Sequence, residues 1–183
     1  MKFRSIPGIH PRPSLWRRLD MAARVSFPAT TTALLLLVMS APIGLPAQAE
    51  LQKAAAVCCV FFWSLFRPGS MPPLAVFLLG LLADLLFYAP PGVTVLTWLL
   101  VHGLALRWRR SLVRLGFVLV WFAFITAAVG AAGLEWLMTS LLSFHLLPPH
   151  AAMFEAVLSV GLYPLVAVVL TRAHQGIAEP DLA

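Results

Sequence analysis

In FLLGLLADLLFYAPPG, residues 77–92, Asp84 stands alone among leucines, and a carboxylate in that setting has three chemical uses. It can accept hydrogen bonds from backbone amides of the loop that follows, at Gly92 or Val93. It can meet a donor on a partner's helix, or it can hold a small ligand or a proton. A charge near the middle of a bilayer costs about 2.5 to 3.5 kcal/mol on insertion scales, so each use has to account for that penalty. At 100° per residue, Phe77, Gly80, Ala83, Asp84 and Tyr88 fall on neighbouring positions of one helix face. Gly80 and Ala83 there let a second helix come close enough to reach the carboxylate.

The other reactive residue types are scattered. His102, His145 and His150 lie on different segments, none with a second histidine or a carboxylate at i+3 or i+4 on the same helix, and read as interfacial histidines. There is no H-E-x-x-H, no nucleophile beside a base and no glycine-rich phosphate loop; Gly130 and Gly133 lie inside a helix, where glycine permits close packing. Cys58 and Cys59 are adjacent in an apolar run and form neither a disulfide framework nor a C-x-x-C site. The expectation is a chain without catalytic residues, metal or cofactor.

The elements that position these residues follow from composition. Of 183 residues, 61% are hydrophobic and 11% charged, which is the profile of an all-α integral membrane protein. The mean hydropathy is +0.90. A formal charge of +6 would suggest nucleic acid in a soluble protein, but here the basic residues sit in short blocks between apolar runs and orient helices, so no nucleic-acid partner is expected. A bilayer core takes about 20 apolar residues per helix. Six spans are read: Ser26 to Pro46, Leu51 to Phe66, Met71 to Tyr88, Gly92 to Leu106, Leu112 to Leu134 and Ala151 to Leu170. The second and fourth are short and call for a locally thin bilayer or for flanking residues drawn into the interface.

Of the 13 lysines and arginines, all except Lys53 fall on one side of these spans. The positive-inside rule therefore puts both termini in the cytoplasm, with a basic arm over residues 1–25, the helical domain over 26–172 and a short tail over 173–183. Ala47-Gln48-Ala49 imitates a signal-peptide cleavage site, although Pro42, Pro46 and the long basic arm match that pattern loosely. The stretch SLWRRLDMAARVSF reads as an anchoring arm in preference to an amphipathic surface helix. The RWRRSLVR block reads as a positive-inside anchor that anionic lipid head groups satisfy. Between the fifth and sixth spans, Trp136 to Leu147 is too short to cross, and Glu135, Thr139 and Ser143 recur every fourth position, predicting a short helix lying on the outer surface. Glu50, Glu135 and Glu155 then collect on the outer face, opposite the arginines.

The stretch FWSLFRPGSMPPLAVFLLGLLADLLFYAPPG resembles the best-marked region of the MreD family, bacterial rod-shape-determining membrane proteins. An aromatic-rich span ends in Arg67-Pro68, Pro73-Leu74 opens the next helix, Gly80 to Leu86 carry G-L-L-x-D-L-L, and Pro90 to Gly92 form a Pro-x-Gly turn. Pro91 replaces the leucine usual in that turn, and the long basic arm is not a family feature. The resemblance implies a noncatalytic subunit of the cell-elongation machinery in the bacterial inner membrane. It further implies binding to MreC and, through it, to MreB, RodA and a class B penicillin-binding transpeptidase. It marks Asp84, Gly80, Arg67, Pro68 and Gly92 as structural or partner-contact positions. The six-helix arrangement also looks like the substrate-binding subunits of energy-coupling-factor vitamin transporters. That likeness supplies the rival expectation, a solute pocket lined by Asp84, Glu135, Trp136 and Glu155, since fold does not fix function.

Overall fold

Proline and glycine set most of the helix boundaries. Pro72 and Pro73 open one helix, where a missing N–H costs nothing. Gly92, at φ 94°, opens the next from a left-handed conformation that side chains resist. The computed structural model describes residues 15–41, 44, 47–114 and 116–178. Among these the chain is helical, with no strand: α1 (Leu15–Met39), α2 (Gln48–Phe66), a 3-10 turn (Pro68–Ser70), α3 (Pro73–Phe87), α4 (Val93–Leu112), α5 (Gly116–Leu142) and α6 (His150–Ala178). The first part of the basic arm, the last residues of the tail, and Pro42 and Pro46 lie outside the described residues.

Three stretches are long and apolar enough to cross a membrane: α2, α5, and α6 over His150–Ala173. Val25–Met39 of α1 and the whole of α3 are apolar but shorter. These features make the chain a helical membrane protein. Within the bundle α2 is central, with 72% of its most apolar stretch buried against 33% for α5 and 22% for α6. Its run from Ala54 to Leu65 is sealed on every side.

Several boundaries depart from the sequence reading: α1 begins at Leu15, inside the stretch read as an anchoring arm, and ends at Met39, short of Pro46, while Leu112, read as the start of the fifth span, ends α4. The expected surface helix from Trp136 to Leu147 does not exist as a separate element, because α5 runs unbroken to Leu142. Nothing between Leu134 and Leu142 breaks a helix, and the one-turn recurrence of Glu135 and Thr139 belongs to α5 itself. Likewise α4 continues past Leu106 through Arg107, Arg109 and Arg110. Arginine is a good helix former, and cations suit a helix C-terminus.

The core is built on aromatic rings. Phe124 and Tyr163 stack with centroids 4.1 Å apart, and Phe61 meets both edge-on at 5.2 and 5.8 Å. Beside them Pro164 interrupts α6 and leaves the carbonyl of Val160 without its usual i+4 donor. The Trp121 indole N–H donates to that carbonyl at 3.1 Å. Trp121→Phe keeps an aromatic ring but removes the donor and part of the ring area, so it should destabilise by about 1 kcal/mol or more, read as a lower unfolding midpoint in detergent.

Candidate functional site

Asp84 lies in the last turn of α3 and is 3% exposed. Its main-chain carbonyl accepts from the N–H of Tyr88, the left-handed residue that ends α3, and from Ala89 at 3.2 Å. Its carboxylate reaches across the turn, where Gly92 N–H donates to Oδ2 at 2.7 Å and Thr94 N–H donates to Oδ1 at 2.9 Å. A helix leaves its first N–H groups unpaired, and Gly92 has no side chain with which to cap α4. Asp84 supplies that cap from the preceding helix, and its negative charge sits at the positive end of the α4 dipole. Of the two amides expected from sequence, Gly92 is used and Val93 is not; Thr94 takes its place.

Gly80, one turn earlier, makes this reach attainable. A Cβ built on Gly80 would lie 2.7 Å from Val95 Cα and 3.2 Å from Val95 N, so α3 and α4 cross nearly backbone to backbone there. Ala83 is fully buried on the same side. Phe77 and Tyr88, expected on this face, are exposed: Tyr88 is the left-handed residue that ends α3, so the helical spacing stops short of it. The close approach is therefore between two helices of one chain.

The opposite, basic end is tied in a mirrored way. Arg109 Nε donates at 2.8 Å to the carbonyl of Leu65, an acceptor in the last turn of α2, so a cation caps a C-terminus. Arg67 and Pro68 form the turn between α2 and α3, with Pro68 opening the 3-10 segment and Arg67 Nη1 buried without a hydrogen-bond partner. Further in, Ser64 Oγ donates to the carbonyl of Val60 at 2.6 Å and lies 2.7 Å from His102 Nδ1. With the hydroxyl proton committed to Val60, His102 donates from Nδ1 and its Nε2 is an acceptor. Thr94, Trp98 and His102 recur at one-turn spacing on the buried face of α4. Thr94 Oγ1, Trp98 Nε1 and His102 Nε2 have no hydrogen-bond partner among the described residues.

At the acidic end a cavity of about 340 Å³ opens between α2, α5 and α6, lined by Glu50, Lys53, Glu135, Trp136, Thr139 and Glu155 among others. Lys53 Nζ lies 3.5 Å from Glu135 Oε2 and 5.4 Å from the centroid of the Phe87 ring, a cation–π distance. The Trp136 indole N–H donates to the carbonyl of Leu147 at 2.9 Å, fixing its ring at the cavity edge. Three of the four residues expected to line a pocket, Glu135, Trp136 and Glu155, come together here; Asp84 does not line it. His145 and His150 do not line it either. No group of three His, Cys, Asp or Glu side chains among the described residues is arranged to hold a metal ion.

Sequence reasoning missed the Lys53–Glu135 pair and the Arg109 cap. The first carried a signal, because Lys53 is the one basic residue on the acidic side and needs a counter-charge in apolar surroundings. The second carried none, since the four arginines between Arg107 and Arg114 look alike in sequence. Comparison with protein-family models, curated proteins and solved structures finds no match for the chain.

Proposed function

We propose that this protein is a noncatalytic membrane scaffold of the bacterial cell-elongation complex, similar in role to MreD. In this reading six helices span the inner membrane with both termini in the cytoplasm. The chain binds MreC, and through it serves MreB, RodA and a class B penicillin-binding transpeptidase. One observation carries the reading. The stretch with the family-like pattern, residues 62–92, spends its distinctive polar and small residues on its own architecture: Asp84 caps α4, Gly80 admits Val95, Gly92 makes the turn. None of these residues lines the acidic-end cavity, which leaves helix surfaces to carry the function.

The surface best suited to a partner's helix is that of α3. Leu74, Leu78, Leu81 and Leu85 are exposed along it at alternating spacings of four and three, the seam of a left-handed helix pair. Copurification in detergent tests the reading. The intact chain should retain MreC, and alanine at both Leu78 and Leu81 should weaken that retention by about tenfold, equivalent to about 1.4 kcal/mol of lost packing. Thermal stability of the variant should stay near wild type, because both side chains are already exposed.

The second reading, a substrate-binding subunit of a small-solute transporter, draws on the cavity beside Glu135, Trp136 and Glu155. It requires an ATP-binding-cassette module in place of MreC in the same copurification.

A further inference from the structure

Two cavities of about 340 Å³ each adjoin at the acidic end. One is the polar cavity described above. The other is an apolar groove between α5 and α6, lined by Val129, Gly133, Met153 and Val157. Ala132, Trp136 and Ala152 line both, so a single bound molecule can occupy the two together. Val129, Met153 and Val157 are exposed on the outside of the bundle, which opens the groove to the surroundings of the helices.

Glu155 is the group that the rest of the structure leaves unexplained. It is 8% exposed and lines the polar cavity, where its carboxylate has no hydrogen bond among the described residues and feels the charges of Glu135, Lys53 and Glu50. Lys53, the one cation lining that cavity among the described residues, is engaged with Glu135. Two carboxylates, Glu50 and Glu155, therefore remain beyond the single ion pair. A buried carboxylate without a partner is costly, and a ligand cation offsets that cost. A bare metal ion fits poorly, since no three His, Cys, Asp or Glu side chains among the described residues are grouped to hold one. An organic cation of several atoms suits a cavity of about 340 Å³. Attached to a hydrocarbon chain, it matches the adjoining groove as well, with the Trp136 ring at the junction where an amphipathic ring belongs.

We propose that the paired cavities bind a membrane lipid with a primary ammonium head group, of the phosphatidylethanolamine class. The ammonium donates to Glu155 and faces Glu50, and one acyl chain lies in the groove between α5 and α6. This site is independent of the MreC reading and stands or falls without it.

Native mass spectrometry of the full chain, released from bilayers of equal phosphatidylethanolamine and phosphatidylglycerol, tests the proposal. The wild type should retain the ethanolamine lipid about tenfold over the glycerol lipid, the scale of a charge-assisted hydrogen bond. Glu155→Gln keeps the shape of the side chain and should bring that ratio close to one. Gly133→Leu should lower retention of both lipids without disturbing the fold, because a Cβ at Gly133 meets nothing within 4 Å. Unfolding midpoints near wild type for both variants establish that they are folded. Free ethanolamine should fail to displace the lipid. Equal retention of the two lipids by the wild type, or an unchanged ratio in Glu155→Gln, overturns the proposal. Displacement by millimolar ethanolamine also overturns it, assigning the cavity to a small soluble amine instead.

Discussion

Gly80→Ala, a change of one methyl group to a better helix former, is expected to be among the most damaging substitutions in the chain. Alanine normally stabilises a helix interior by about 1 kcal/mol relative to glycine. Here the new Cβ would sit 2.7 Å from Val95 Cα, a backbone atom that no rotamer change can move aside. The two helices must part, and overpacking of this kind costs about 1 to 3 kcal/mol before any hydrogen bond is counted. The Asp84 carboxylate lies one turn further along the same face, and separation of α3 from α4 lengthens its bonds to Gly92 and Thr94. Thermal unfolding in detergent should show a midpoint lowered by on the order of 5 °C, with reduced membrane abundance in cells. Gly133→Ala, in an equally helical but open position, should match or exceed wild type and serves as the control.

Asp84→Leu should cost more still, although leucine is the better residue for a lipid environment. It removes both acceptors and leaves two amides at the start of α4 unpaired, one of them, Thr94 N–H, buried. Each bond to a charged group contributes about 1.5 to 3 kcal/mol, so a loss of about 3 kcal/mol or more is expected. Asp84→Asn retains one oxygen and hence one of the two bonds, and should fall about midway between leucine and wild type. If Asp84 held a proton or a ligand instead, asparagine would abolish function at undiminished abundance. The capping role predicts that any loss of cell-shape complementation follows the fall in abundance. Combining Asp84→Asn with Gly80→Ala should cost less than the two single effects added, because both act on one contact.

Much of this arrangement was legible in the sequence, for identifiable reasons. The turn at Pro90 to Gly92 and the break at Arg67-Pro68 announce themselves through residues that cannot continue a helix. A lone carboxylate just before such a turn is a natural acceptor for its amides, and Gly80 one turn earlier marks a close crossing. The choice of Thr94 over Val93 depends on how the left-handed Gly92 aims the following amides, which spacing alone does not encode. The length of α5 was misread for a different reason. A stretch of 27 residues exceeds the usual span, and the polar positions Glu135 and Thr139 looked like the start of a new element although no breaker separates them from Gly133. The acidic-end cavity was half visible, as acids gathered on one side, but its walls come from α2, α5 and α6 and depend on tertiary packing. Pro164 was not used in the sequence reading, and the donor to the carbonyl that it frees, Trp121, sits on another helix.

Hydrogen exchange at the start of α4 tests the central claim, that the Asp84 carboxylate is a helix cap, most directly. Pro90 and Pro91 carry no amide hydrogen, so a peptide covering residues 89–95 reports chiefly on the N–H groups of Gly92 to Val95. In the wild type, Gly92 and Thr94 should be protected despite lying at a helix N-terminus, where such groups ordinarily exchange fast. Asp84→Asn should release one of them, and Asp84→Leu both. Protection that is unchanged in Asp84→Leu would contradict the cap and return this carboxylate to the roles of partner contact or ligand site.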